Sequence, residues 1–357
     1  MNFYEIGGFE NTENMDPFNI FSHPSWKPVI ELARDRTARM VMCFPRWKDA
    51  PVDPAAELTE TATEQVEGGS RLTTTKIRAG RRILTCRTRR DPGINTTWTL
   101  EHLLKDVEDA EAWLSLPEMP AGGEPDVGNV LDIERRLGDS GIVMLDTGDP
   151  LCGAAPLFHM ELFTVIAMTE QDLFRRILER IAGRLLPRIE AVARALPGRL
   201  WRICGPEYAS PPYLPPHLFH DYVVPYDKPM VDAIQRNGGY ARLHSHGRLK
   251  DILDHIVATG CSGLDPIEPP PQGDVELSYV RERYGGQLVL FGNIEASDIE
   301  ILPPDKFAEK TKTALRQGTT GTGHGFVLMP SACPYGRDLS ERAVTNYNTM
   351  VELAEKG

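Results

Sequence analysis

Cysteine is sparse: six in 357 residues, at positions 43, 86, 152, 204, 261 and 333, with no CxxC pair among them. That excludes a disulfide-dense scaffold and a paired-cysteine zinc module. So wide a scatter reads as reduced thiols, mostly small buried apolar groups, with one free to serve as a metal ligand. Long apolar runs are missing too. The longest, residues 141–145 and 288–291, fall far short of the roughly 20 residues that span a bilayer. The opening MNFYEIGGFENTENMDPF has neither a basic cluster nor a continuous apolar stretch, so no signal peptide is expected and the expected location is the cytoplasm. The acceptor-like Asn95-Thr96-Thr97 is then idle. Positive charge is in deficit, 39 Lys and Arg against 51 Asp and Glu for a net −12, a balance that repels phosphate backbones and argues against nucleic acid as a partner. The locally basic stretch 78–90 reads as the solvated face of a hairpin. Gly318, Gly321, Gly323 and Gly325 precede a strand instead of joining strand to helix, which is the wrong context for a dinucleotide fingerprint. A GxSxG elbow and a Walker A sequence are absent.

The composition is that of an ordinary globular chain, 41% hydrophobic and 25% charged, long enough for one large barrel or two average domains. Residues 1–36 read as an irregular extension with a short helix at 28–36, followed by a first strand at 39–44. Residues 46–98 differ from the rest. Two β-branched runs, 73–77 and 82–88, flank Arg78-Ala79-Gly80-Arg81 and predict a hairpin decorating the main fold. Helical spacing follows over 100–116, stopped by Pro117 and Pro120.

From residue 125 the pattern becomes regular. Helix is expected at 127–137 and strand at 141–145. A long helix should run from Thr169, where Thr-Glu-Gln-Asp has the form of a capping box, to about 196. Strands at 200–204, 241–244, 263–266, 288–291 and 325–328 then alternate with helices through 230–237, and at 249–258, 275–283, 304–317 and 340–355. Parallel strands separated by helices of this length are βα units. About six are clear, and the irregular first third can supply two more. The expected fold is therefore an α/β (β/α)8 TIM barrel spanning residues 37–357, with the N-terminal extension and the hairpin insertion as additions.

In such a barrel, chemistry sits just past the strand C-termini. Those positions read Gly205-Pro206-Glu207, His244-Ser245-His246, Asp265 to Glu268, Gly292-Asn293-Ile294-Glu295 and Ser331-Ala332-Cys333. Residues two apart on a strand point the same way, so His244 and His246 can face one site. Neutral imidazole and thiolate both bind zinc, and a catalytic zinc takes three protein ligands with one position open. Cys333 can reach the barrel axis from the last strand end, and Glu207 and Asp221 are oxygen candidates. A zinc would use only three or four of these five. Glu268 and Glu295 are candidate proton donors, Asn293 shares their face, and Tyr208 and Tyr213 are candidates for lining a pocket.

Residues 200–334 resemble the uroporphyrinogen decarboxylase superfamily. The carriers are RICGPEYASPPYLPPHLFHDYVVPYDKPMVDAIQRNGG, ARLHSHGRLKDILDHIVATGCSGLDPIEPP, LVLFGNIEA and GFVLMPSACPYG. The likeness extends over at least residues 125–355. That superfamily includes cobalamin-dependent methyltransferases. The Arg-rich N-terminal segment with which its decarboxylases grip porphyrin carboxylates has no counterpart here, where residues 40–45 are followed by Arg46-Trp47-Lys48. One methyltransferase branch holds zinc with His-x-Cys and a later Cys. His244 and Cys333 match that pattern, but His246 stands where that branch has Cys. The O-demethylating branch, with two acidic residues followed by His, is more similar: Glu207, Asp221 and His244 run in that order, with Asp for the second Glu. The resemblance thus implies a zinc-dependent methyltransferase passing a methyl group from a small, methoxylated substrate to a corrinoid protein. The alternative it implies is a carboxy-lyase acting on a small carboxylate.

Overall fold

The computed structural model describes residues 1–356. Its strands in chain order are β1 (Arg39–Cys43), β2 (Arg46–Lys48), β3 (Thr59–Gln65), β4 (Arg71–Ala79), β5 (Arg82–Arg90), β6 (Thr97–Glu101), β7 (Glu124–Asp126), β8 (Gly141–Gly148), β9 (Leu200–Cys204), β10 (Tyr240–Ser245), β11 (Gly263–Pro266), β12 (Val289–Ile294) and β13 (Phe326–Pro330). Seven of them form one curled parallel sheet in the order β1-β8-β9-β10-β11-β12-β13, an α/β arrangement in which helices cover the outer face. Outward-pointing Trp201, Ile203, Ala241, Leu243, Leu264 and Leu290 are at most 1% exposed within the main core. Burying such side chains stabilises the sheet–helix layer by roughly 1.5–3 kcal/mol each.

The expected eight strands number seven, and β1 and β13 are not paired with each other. The seam between them is occupied by the very start of the chain. Asn2 N donates to Leu328 O at 3.0 Å and Ala38 N donates to Met1 O at 2.9 Å, with Asn2 Nδ2 on Ala38 O at 2.8 Å. Phe3 and Ile6 are fully buried there, and the Phe3 ring lies 4.7 Å from that of Tyr347 on the last helix. The first residues are therefore part of the wall, not a loose extension.

The insertion is larger than a hairpin. β3, β4, β5 and β6 form a four-stranded antiparallel sheet, with β4 and β5 joined across Gly80 at φ +60°. β6 takes residues that helical spacing had suggested for a helix, which shortens to Val107–Leu114. The capping box expected at Thr169 does not form. The Thr169 hydroxyl turns back onto Val165 O at 2.9 Å, and the chain breaks at Glu170 between helices Met160–Thr169 and Gln171–Ala195. Among the described residues no helix is long and apolar enough to cross a membrane.

Candidate functional site

The parallel register places the strand ends level. Gly148 pairs with Cys204, Cys204 with His244, and His244 with Asp265, and one step back Asp146 pairs with Arg202 and Arg202 with Arg242, so inward positions of four strands lie side by side. Below this layer the concave interior of the sheet is apolar, formed by Met40, Phe291, Met329 and the Tyr4 ring. The layer itself is charged. His244 Nδ1 lies 2.7 Å from Asp265 Oδ2, and Arg242 Nε lies 2.8 Å from Asp265 Oδ1, an ion pair off the axis a hydrogen bond requires. Asp265 is 0% and Arg242 1% exposed. Burial would raise the Asp265 carboxyl, but Arg242 and His244 outweigh it and hold the group below the usual carboxylate range. On the other side Arg202 Nε donates to Asp146 Oδ1 at 2.6 Å, and Arg202 also donates to the Tyr4 hydroxyl, which is 3.4 Å from His244 Nε2. Glu5 is exposed beside this layer, its carboxyl raised by partial desolvation against the pull of Arg202.

One step further along the strands, His246 Nδ1 lies 2.7 Å from Glu268 Oε1, and Gly247 N donates to Glu268 Oε2 at 2.7 Å. The His244 and His246 rings are 4.6 Å apart, edge to face. Burial works against the charged forms of both partners, yet their mutual hydrogen bond prevails, raising His246 and lowering Glu268. Glu295, 5% exposed, accepts from Ser331 Oγ at 3.3 Å through Oε2, while its Oε1 has no hydrogen-bond partner among the described residues. Burial, with the charge of Glu268 added, pushes this carboxyl up to about 7. A cavity of about 500 Å3 opens over the pair, walled by Met160, Glu207, Tyr208, Tyr213, His246 and Glu268, with Arg248 and several prolines completing the lining. Burial raises the Tyr208 phenol to about 12.

A family model, uroporphyrinogen decarboxylase (URO-D), matches residues 137–354, more than half of the chain and all of the strand ends just described except that of β1. The chain belongs to the uroporphyrinogen decarboxylase family. No curated protein matches it in sequence. Among solved structures it is similar to a methyltransferase from Methanosarcina mazei, at TM-score 0.55 and 17% identity over 76% of this chain and 75% of that one. This likeness concerns the fold. A D-psicose 3-epimerase crystallised in the presence of D-fructose matches at TM-score 0.34 and 9% identity, over 65% of this chain and 92% of that one; so low a score bears no weight.

Within this member of the uroporphyrinogen decarboxylase family, the ten residues singled out from sequence do not all meet. His244, His246, Glu268 and Glu295 form one group, and Glu207, Tyr208 and Tyr213 wall the cavity beside it. Asp221 is elsewhere. It sits on helix Pro216–Tyr222, 3.1 Å from His220 Nδ1 and 3.5 Å from Arg175, on an open face. Cys333 packs at the seam against the apolar interior layer, its thiol pushed up by burial. Asn293 lines a different cavity of about 300 Å3 with Pro269, Asp298 and Phe307.

Zinc needs at least three ligands converging from one side. Glu207 spends Oε2 on Gly205 N at 3.0 Å, and Asp221 and Cys333 lie apart from the two histidines. Among the described residues no three His, Cys, Asp or Glu side chains converge as a metal cage. The expected ligand set does not fit zinc as arranged.

Several site residues carried no motif. Arg202 and Arg242 occupy inward positions of buried parallel strands, where aliphatic residues are the rule, and that breach was the available signal. Asp149 and Asp227, 2% and 0% exposed, lie near Glu207; Asp227 has both oxygens unpartnered, and burial raises both carboxyls. Gly205, at φ +129°, is needed at the β9 exit, because a Cβ there would strike the Asp149 side chain.

Proposed function

We propose that the protein is a methyltransferase that removes a methyl group from a small substrate held in the cavity at the strand ends. The observation that carries the reading is Glu295, a buried carboxyl pushed up to about 7, so that a large share of it keeps its proton near neutral pH, with Oε1 unpartnered and the His246–Glu268 pair close by. Methyl transfer from an ether or amine fails when the leaving heteroatom departs without a proton. In the proposed step a nucleophile takes the methyl carbon, the carbon–heteroatom bond breaks, and the heteroatom receives the proton of Glu295 Oε1. Glu295 is left as carboxylate, and His246, with its raised proton affinity, restores the proton from solvent. General-acid assistance of this kind is worth about 10²–10⁴-fold. The proposed acceptor is the corrinoid of a separate protein, supplying reduced cobalt as nucleophile.

A carboxy-lyase is the second reading, favoured by one feature. Arg248 on the cavity wall is exposed and has no ion-pair partner among the described residues, so a substrate carboxylate would find it.

The test supplies free cob(I)alamin as surrogate acceptor with a panel of methoxylated aromatics and methylamines, and follows methylcobalamin by its visible spectrum. Methylcobalamin formation, cut about 10²–10⁴-fold in Glu295→Gln, supports the reading. Carbon dioxide release from carboxylates with no methylcobalamin formed would replace it by the second. Metal analysis belongs in the same experiment: one zinc per chain would mean that ligands move on binding and that a Lewis acid, not Glu295, activates the leaving group.

A further inference from the structure

The start of the chain reaches the centre of the charged layer through Tyr4. Its neighbours hold it there from both sides. Phe3 and Ile6 are fully buried, Ile6 N donates to Phe3 O at 3.2 Å, and Asn2 is tied to β13. Tyr4 itself adopts φ +55°, a left-handed conformation that costs a non-glycine residue about 1–3 kcal/mol and persists only where the surroundings impose it. This strained backbone turns the ring inward, so that its hydroxyl meets Arg202 and approaches His244 Nε2 at 3.4 Å, with the ring centroids 5.8 Å apart.

The directions of the hydrogen bonds follow from which groups can donate. A guanidinium only donates, so the Tyr4 oxygen accepts from Arg202 and the phenol proton is left for His244. Asp265, ionised beside Arg242, only accepts, so His244 carries its proton on Nδ1 and presents a lone pair at Nε2. The chain then reads Arg202 to Tyr4 to His244 to Asp265, each group donating to the next. We infer that Tyr4 is a positioning residue of the site, its phenol covering the Nε2 lone pair of His244 at the place that a zinc ion would need. His244 is then satisfied on both nitrogens by protein groups. The contact also makes the first residues of the chain a working part of the site. The inference rests on His244 belonging to the site and not on which group is transferred.

The test is 15N NMR of the full chain labelled at histidine, with the His244 signals identified by their loss in His244→Gln. In the metal-free wild type, His244 shows one tautomer with the proton on Nδ1. In Tyr4→Phe, which keeps the ring and its packing, the Nε2 signal moves toward that of an imine nitrogen with no hydrogen bond, while Asp265 keeps the proton on Nδ1. Zn2+ alone, added stepwise, binds His244 about two- to twelvefold more tightly in Tyr4→Phe, the factor set by one hydrogen bond removed from competition. Unchanged His244 signals in Tyr4→Phe, or equal zinc affinity in the two proteins, overturn the inference. Should Tyr4→Phe misfold, 3-fluorotyrosine incorporated throughout supplies a more acidic phenol in the same shape; a shifted His244 Nε2 signal supports the contact and an unmoved one refutes it. Absence of methyl transfer leaves all these spectra unaffected, so the two readings fail separately.

Discussion

Replacing Asp265 by Asn is the sharpest probe of the charged layer. Asp265 is fully buried and receives Arg242 at 2.8 Å and His244 at 2.7 Å. The amide keeps the shape and loses the charge, leaving the Arg242 guanidinium, itself 1% exposed, without its counter-ion. Breaking a buried pair in this way costs about 3–5 kcal/mol. At about 2 °C per kcal/mol for a long chain, the midpoint of thermal unfolding falls by about 6–10 °C. Removing both charges, as in Arg242→Met with Asp265→Leu, should recover most of that loss, because neither ion then has to be desolvated. Urea unfolding of the two single variants and the double variant gives a coupling energy of at least about 2 kcal/mol. The pH dependence has a definite sign. The native carboxyl is depressed, so its contribution is complete above the unfolded value and is lost as the pH falls through the native one. The acid limb of the stability curve is therefore shallower in Asp265→Asn. A loss below about 1 kcal/mol, or strictly additive single variants, would refute the account of a buried and interdependent pair.

Activity that depends on protonated Glu295 should fall as the pH rises through about 7, and the corresponding limb of the rate profile should vanish in Glu295→Gln. Glu268→Gln removes the partner that raises His246, so the His246 titration followed by NMR should move to lower pH. An unmoved titration would show that the pair does not form in solution. Asp221→Ala should leave both activity and metal content unchanged, since Asp221 lies on an outer face with Arg175 and His220; loss of either would place it in the site after all. Gly205→Ala should cost at least about 1–3 kcal/mol in urea unfolding through backbone strain alone, with displacement of Asp149 added.

Much of the strand framework was legible because period and punctuation agree: residues 200–204 and 263–266 coincide with β9 and β11. His244 and His246 were legible as a pair because their spacing alone puts them on one side of a strand. Their partners were harder. Asp265 and Glu268 were visible only as strand-end residues, since pairing across strands depends on register, which a single strand does not encode. Asp221 illustrates the reverse. Its order after Glu207 suggested a common ligand set, but helix Pro216–Tyr222 carries it to the outside. Tyr4 was invisible because its segment has no periodicity, and its partners lie some 200 residues and more away along the chain.

The wall segment at the start of the chain has a consequence for biosynthesis. Asn2 is synthesised well before its acceptor Leu328, which follows 326 residues later. At 5–20 residues per second that interval is roughly 16–65 s. Throughout it the segment is tied only on the β1 side, through Ala38, and its other side stays open, a template for pairing with other chains. Closure of that seam is thus a late event, possible only once the last strand has emerged.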